Sequence, residues 1–193
     1  MRPSVPVPER MARLPRDERG YAIPWMVFRD SDGRAHFTIN DENRRQKIIA
    51  KDLCSICAQP LLRGRWFVGG PGSAFHENGA YRDPPMHYEC ACYALQVCPY
   101  LAAPRYSKNI EARTLKPEHV PPLLIDPTID PARPELFVAV MATGQRHIHV
   151  TLMGVRIVQF LKPRRPYSRV EFWCHGQRVE MTERQRVAFG VDL

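Results

Sequence analysis

The pattern of apolar and polar positions divides the chain into short segments of differing period. In "YAIPWMVFRDSDGRAHFTIND", residues 21–41, two apolar runs flank Asp30-Ser31-Asp32-Gly33. Such a spacer, with glycine where positive φ is needed, predicts a β-hairpin. "ENRRQKIIAKDL" then sets Ile48, Ile49 and Leu53 at near-helical spacing with Asn40 or Asp41 as N-cap, which predicts a short helix delivering the chain to Cys54. "RWFVGG" is a strand ending in the turn "GGPG". "DPPMHYECACYALQVCPYL", residues 83–101, is the most clearly bounded helix: Asp83 caps it, Pro84 and Pro85 suit its first turn, and Pro99 closes it. Downstream, "ELFVAVMA", "HIHVTLMG", "VRIVQFL" and "RVEFWCHGQRV" are rich in β-branched and aromatic residues and predict a small antiparallel sheet. Thr182 with Gln185 forms a capping box for a last helix, "TERQRVAF", which Gly190 would end.

These elements give an α+β chain in four stretches. Residues 1–19 carry four prolines and five arginines and predict a flexible arm, because little apolar surface offsets the entropy of ordering them. Residues 20–103 form an α+β core with the N-terminal hairpin and helix. Residues 104–134 hold seven prolines and form an extended connector. Residues 135–193 form a small β-rich segment with a short helix, packed on or beside the core.

Composition changes the picture only modestly. The apolar fraction of 44% and charged fraction of 25% are those of a folded protein. A net charge of +8 favours an anionic partner, nucleic acid first. The opening residues contain no apolar run of signal-peptide length, and no stretch approaches a membrane span, so a cytoplasmic location and no membrane partner are expected. Cysteines in that setting stay reduced, and close pairs point to metal rather than to disulfides.

Two such pairs stand out. "CSIC" places Cys54 and Cys57 in a tight knuckle that aims both sulfurs at one point. "HYEC" places His87 and Cys90 three residues apart at a helix start, where they share a face and where the positive helix end favours thiolate. A knuckle, a hairpin and a helix whose first turn supplies two ligands is the arrangement of the treble-clef zinc fold, so Cys54, Cys57, His87 and Cys90 are predicted to hold a structural Zn2+ ion. Cys92 lies about 200° around the helix from Cys90 and faces the core. Cys98 and Cys174 are expected as structural thiols.

Catalytic patterns are sparse. "FHENG" offers His76 and Asn78, with Glu77, the residue types that HNH nucleases use on a similar scaffold, although no Asp-His or His-His dipeptide accompanies them. Hydrolysis there would need a second, open metal site. His147 and His149 share one side of a strand but lack cysteine or carboxylate companions in sequence. No phosphate-binding glycine loop, nucleophile elbow or dinucleotide fingerprint occurs, and the residues point to no reaction. The clearest basic and aromatic cluster is "KPRRPYSR": Lys162, Arg164, Arg165 and Arg169 suit phosphates, and Tyr167 can stack on a base. Arg44, Arg45 and Lys47 would extend this patch if folding brings them close.

The segments "GYAIPWMVFRDSDGRAHFTIND", "CSICAQPL", "WFVGGPGSAF", "DPPMHYECACYALQVCPYL" and "VEFWCHGQRVEMTERQR" together resemble a family of uncharacterised bacterial and phage-encoded proteins. The likeness runs from Tyr21 to the C terminus and implies a zinc knuckle and a phage or prophage setting, without implying a reaction. The expectation is therefore a non-enzymatic, zinc-stabilised binding or regulatory protein acting on nucleic acid or on a host protein. Its alternatives are an HNH-like metal-dependent nuclease and a protein-directed inhibitor or adaptor, such as an anti-defence factor.

Overall fold

The structure is a computed structural model that describes residues 5–102 and 134–188. It is a mixed α+β fold of small antiparallel sheets and a few short helices. The N-terminal hairpin joins β1 (Val27–Arg29) to β2 (Ala35–Asn40), and α1 (Glu42–Lys51) follows at once. At the turn, the Asp30 carboxylate accepts from the Asp32 and Arg34 amides at 3.1 and 2.9 Å, and Gly33 takes φ +79°. The N-cap of α1 is Asp41, whose side chain accepts from the Arg44 amide.

The central sheet takes one strand from before the proline-rich connector and three from after it. Its order is β3 (Arg65–Gly69), β4 (Leu136–Ala142), β7 (Arg169–Cys174), β8 (Gln177–Val179), antiparallel throughout. β4 is a nearly unbroken apolar run because both of its faces are covered. Phe137, Ala139 and Met141 point into a core that holds Trp66, Trp173 and α3 (Tyr88–Val97), while Val138, Val140 and Ala142 point into a second core with Phe67, Phe172 and Leu161. The sheet is thus a partition between two apolar layers.

The single C-terminal sheet expected from sequence is corrected in one respect. β5 (Gln145–Leu152) and β6 (Val155–Pro163) pair only with each other and form a separate two-stranded ribbon. The ribbon is tethered at its base, where Tyr81 and Leu161 exchange both backbone hydrogen bonds at 2.8 Å. After β3 the chain makes a short helix, α2 (Pro71–Phe75), in place of a simple turn.

Three further expectations differ from what is seen. The helix bearing the second ligand pair begins at Tyr88 with His87 as N-cap; Asp83 instead accepts from the Asn40 side chain at 2.8 Å. Pro84 and Pro85 are buried in extended chain, which lets Met86 pair with Trp66 through two backbone hydrogen bonds of 3.0 and 2.9 Å. That one bridge is all that remains of the hairpin expected between the ligand pairs. Pro99 ends α3 but opens one further turn, α4 (Pro99–Ala102).

The third correction concerns the arm. Residues 5–19 lie on the fold: a 3-10 turn at Glu9–Met11 buries Met11 to 1% exposure, and Val5, Val7 and Leu14 pack beside it. Burying a methionine contributes roughly 1.5–3 kcal/mol, enough to hold a short segment that is otherwise polar. The connector at 104–134 lies outside the described residues, apart from Pro134, as does Gly190. The final helix, α5 (Glu183–Ala188), opens on the predicted box: the Thr182 amide donates to Gln185 Oε1 at 2.9 Å, and the Gln185 amide to the Thr182 hydroxyl at 3.4 Å.

Candidate metal centre

The chain leaves α1 through Asp52 in left-handed geometry (φ +54°) and enters the knuckle at once. The Ala58 amide donates to the Cys54 carbonyl at 2.9 Å and the Cys54 amide to the Gln59 carbonyl at 2.8 Å, closing a tight loop with Ala58 at φ +57°. The Ser55 amide donates to the Pro85 carbonyl at 3.1 Å, which seats the knuckle against the strand-like segment before α3. His87 and Cys90, as N-cap and third residue of α3, then face it.

Four ligand atoms converge as a result: those of Cys54, Cys57, His87 and Cys90 all lie within 4.8 Å of one another, and all four residues are buried. The imidazole orientation is settled by its outer partner. His87 Nε2 lies 2.9 Å from the Pro60 carbonyl, which can only accept, so Nε2 carries the proton and Nδ1 faces the sulfurs, 3.4 Å from Cys57 Sγ. The His87 amide also donates to Cys54 Sγ at 3.5 Å.

The electrostatics agree with that geometry. Hydrogen bonds from Cys54 and Cys90 hold the Cys57 thiol far below its ordinary range, burial pushes Cys54 up, and hydrogen bonding to the other two sulfurs pushes Cys90 up. A dication would favour ionisation of all three sulfurs. Three thiols and an imidazole in a buried, four-cornered arrangement fit a metal ion with a taste for sulfur and nitrogen. Cys92, Cys98 and Cys174 are half-buried free thiols outside the group.

The other candidates are dispersed. His76 and Asn78 sit in an exposed turn after α2, where His76 Nδ1 accepts from the Asn78 amide at 3.1 Å, and neither belongs to a metal-ligand group among the described residues. That turn occupies part of the "KPRRPYSR" cluster. Arg165 donates to the Ala74 and His76 carbonyls at 2.7 Å each, Tyr167 to Ala74 at 2.8 Å, and the Lys162 ammonium to the Glu77 carbonyl. Arg169 pairs with buried Glu171 at 2.8 Å and lies over the Trp66 and Tyr88 rings. Arg164 is exposed and, alone of the five, makes no side-chain hydrogen bond or ion pair among the described residues.

Arg45, expected as an extension of that patch, is fully buried. Its guanidinium donates to the carbonyls of Arg82, Val158 and Gln159 at 2.9, 2.8 and 2.9 Å and to Glu42 at 3.0 Å, tying α1 to the ribbon base. The sequence does carry a signal for this: Arg45 stands three and four residues before Ile48 and Ile49, on the apolar face of α1. Arg44 pairs with Asp41 and, with Lys47, lies over the Trp25 ring.

A cleft of about 430 Å³ opens where the ribbon meets the sheet, lined by Asp52, Arg65, Gly144, Gln145, His147 and Arg164 among others. Asp52 and Arg65 form an ion pair across it. Burial and the neighbouring His149 hold His147 below the ordinary imidazole range. Sequence reasoning missed this cleft because its walls come from four separate stretches, at 49–52, 65, 143–147 and 164. No helix among the described residues is long and apolar enough to cross a membrane. No protein-family model, curated protein or solved structure matches the chain.

Proposed function

We propose that this chain is a non-catalytic binding protein, stapled by a structural zinc ion on Cys54, Cys57, His87 and Cys90, that engages nucleic acid through its basic surface. The observation that supports it best is the closed character of the cluster. Four buried protein ligands account for a full tetrahedral shell and leave no open position for water or substrate, which is the signature of structural rather than catalytic zinc. Zinc is favoured by the ligand set itself, since a shell of three sulfurs and one nitrogen suits it and ligand atoms within 4.8 Å of one another can meet the roughly 3.8 Å that Zn–S bonds of about 2.3 Å impose on a tetrahedron. When bound, the ion joins the knuckle after α1 to the first turn of α3; binding and folding are then one process.

A net charge of +8 supports the choice of nucleic acid as partner. The resemblance to bacterial and phage-encoded proteins makes bacterial host DNA the first substrate to try. Elemental analysis of purified protein should return one zinc per chain. Fluorescence anisotropy should show nucleic-acid binding that weakens steeply between about 50 and 200 mM salt and that Arg164→Ala further weakens. Arg165→Ala is a poor probe, because that side chain holds the end of α2. Absence of zinc, or binding indifferent to salt, would defeat the proposal; divalent-ion-dependent cutting abolished by His76→Ala would replace it with the nuclease reading.

A further inference from the structure

The ribbon β5–β6 is built unlike the rest of the fold. Burial along β6 runs from exposed Val155 and Arg156 at the tip to buried Gln159 and Leu161 at the base, so its distal part stands clear of the sheet. Register places Val150, Val155 and Ile157 on one face of this distal part and His149, Thr151 and Arg156 on the other. At the very tip, Met153 (φ +50°) and Gly154 (φ +78°) make a two-residue turn with both residues in left-handed geometry. Glycine is at home there. Methionine is not: Asn, Asp or Gly is the ordinary first residue of such a turn, because a side chain in that region is strained.

Strain of this kind persists when something repays it, yet Met153 is 94% exposed and packs on nothing in the chain. Val155 at 61% and Val150 at 42% exposure extend the apolar tip. The ribbon is also wholly cationic. Between Glu135 and Glu171 the sequence has no carboxylate, while it carries Arg146, Arg156, Lys162, Arg164, Arg165 and Arg169. Arg146, Arg156 and Arg164 are exposed and belong to no ion pair among the described residues. From Met153 back to Arg146 is seven residues, about 23 Å of strand; alternation puts Arg146 on the face of Val150 and Arg156 on the opposite one, so cations flank the ribbon on both faces, and Arg164 lines the basal cleft.

We propose that the β5–β6 ribbon is a duplex-DNA arm: its cations track the phosphate backbone from the basal cleft to the tip, and Met153 wedges between base pairs from the minor groove. This rests on the nucleic-acid reading above and specifies its duplex form, its surface and its mode. Apolar wedges of this kind unstack a base step and kink the duplex, while neighbouring arginines bond phosphates. The length of the charged track favours DNA over a lipid surface. A rod-shaped polyanion meets cations along the whole ribbon, whereas a bilayer would meet only the tip.

The test uses the full-length, zinc-loaded chain and a short mixed-sequence duplex carrying a fluorescent dye at each end. Energy transfer reads bending, anisotropy reads affinity, and both are taken across a salt series. Wild type should bind and bend the duplex. Met153→Asn, which installs a residue the turn prefers, should keep zinc, melt no lower than wild type and keep the salt slope, yet lose the bend and about tenfold in affinity. Arg156→Ala should keep the bend and lower the salt slope by about one. If wild type binds with a normal salt slope but Met153→Asn bends and binds the duplex equally well, the arm is wrong while the nucleic-acid reading survives. Failure of wild type to bind any nucleic acid sinks both. Loss, in Met153→Asn, of binding to phosphatidylserine vesicles with duplex behaviour unchanged would overturn the arm in favour of a lipid contact.

Discussion

The Cys-His cluster and the β5–β6 ribbon lie at opposite extremes of the same physical scale. In the cluster every group has a partner: four ligand atoms face one another, the imidazole bonds outward to Pro60, and all four residues are buried. On the ribbon, apolar side chains project into solvent, the exposed arginines have no carboxylate beside them, and the tip holds a methionine in a conformation its side chain does not favour. A satisfied, buried constellation supports the fold itself. Under the proposed reading, the exposed one is where a second molecule would be met, and the contrast separates stability from binding.

Removing the metal should give the largest effect. Structural zinc contributes on the order of 10–16 kcal/mol in small domains near pH 7, so chelation or Cys90→Ser should abolish the cooperative melt followed by circular dichroism. A variant that loses its metal yet melts unchanged would show the cluster to be packing alone. Arg45→Ala should come next. It removes a donor from three carbonyls and from Glu42, of which Val158 and Glu42 keep Gln46, and the loss should be about 3–5 kcal/mol in urea unfolding.

Met153→Asn should act in the opposite direction, raising stability by up to about 1 kcal/mol in the same assay, because it relieves the turn and removes no contact. A destabilised variant would mean that the tip packs against the chain and that the contrast drawn here is false. The smallest effect should come from the ordinary hairpin, β1–β2. His36, with the Arg34 and Asp32 amides, holds the Asp30 carboxyl below its usual value. A depressed carboxylate contributes stability above its unfolded pKa and loses it as pH falls through the folded one, so Asp30→Asn should lower the neutral plateau slightly and flatten the acid end of a pH–stability curve, the two curves converging at low pH.

Much of the local structure was legible because it depends on neighbours in sequence. The Asp30–Gly33 turn, the Asp41 cap, the Thr182–Gln185 box and the pairing of CSIC with HYEC each follow from side-chain chemistry over three or four residues. The helix start misled for the same local reason. Pro84 and Pro85 are good first-turn residues, but Met86 gains two backbone bonds to Trp66 by staying extended, and a distant strand outweighed a local preference. Basic residues misled most. Arg164 and Arg165 are adjacent and chemically identical, yet one faces the cleft and solvent while the other holds two carbonyls of the α2 turn.

Sequence alone thus determined the makeup of the Cys-His cluster, the α+β class and the cationic excess between Glu135 and Glu171, since spacing and composition are properties of the chain. Tertiary structure decided where charge and apolar surface end up. It buried Arg45, folded the expected arm onto the core through Met11, gave β3 a partner from beyond the connector, and left the ribbon standing free. The physical reason is that desolvation and pairing depend on what approaches through space, and a side chain's role is settled by the partner that reaches it first.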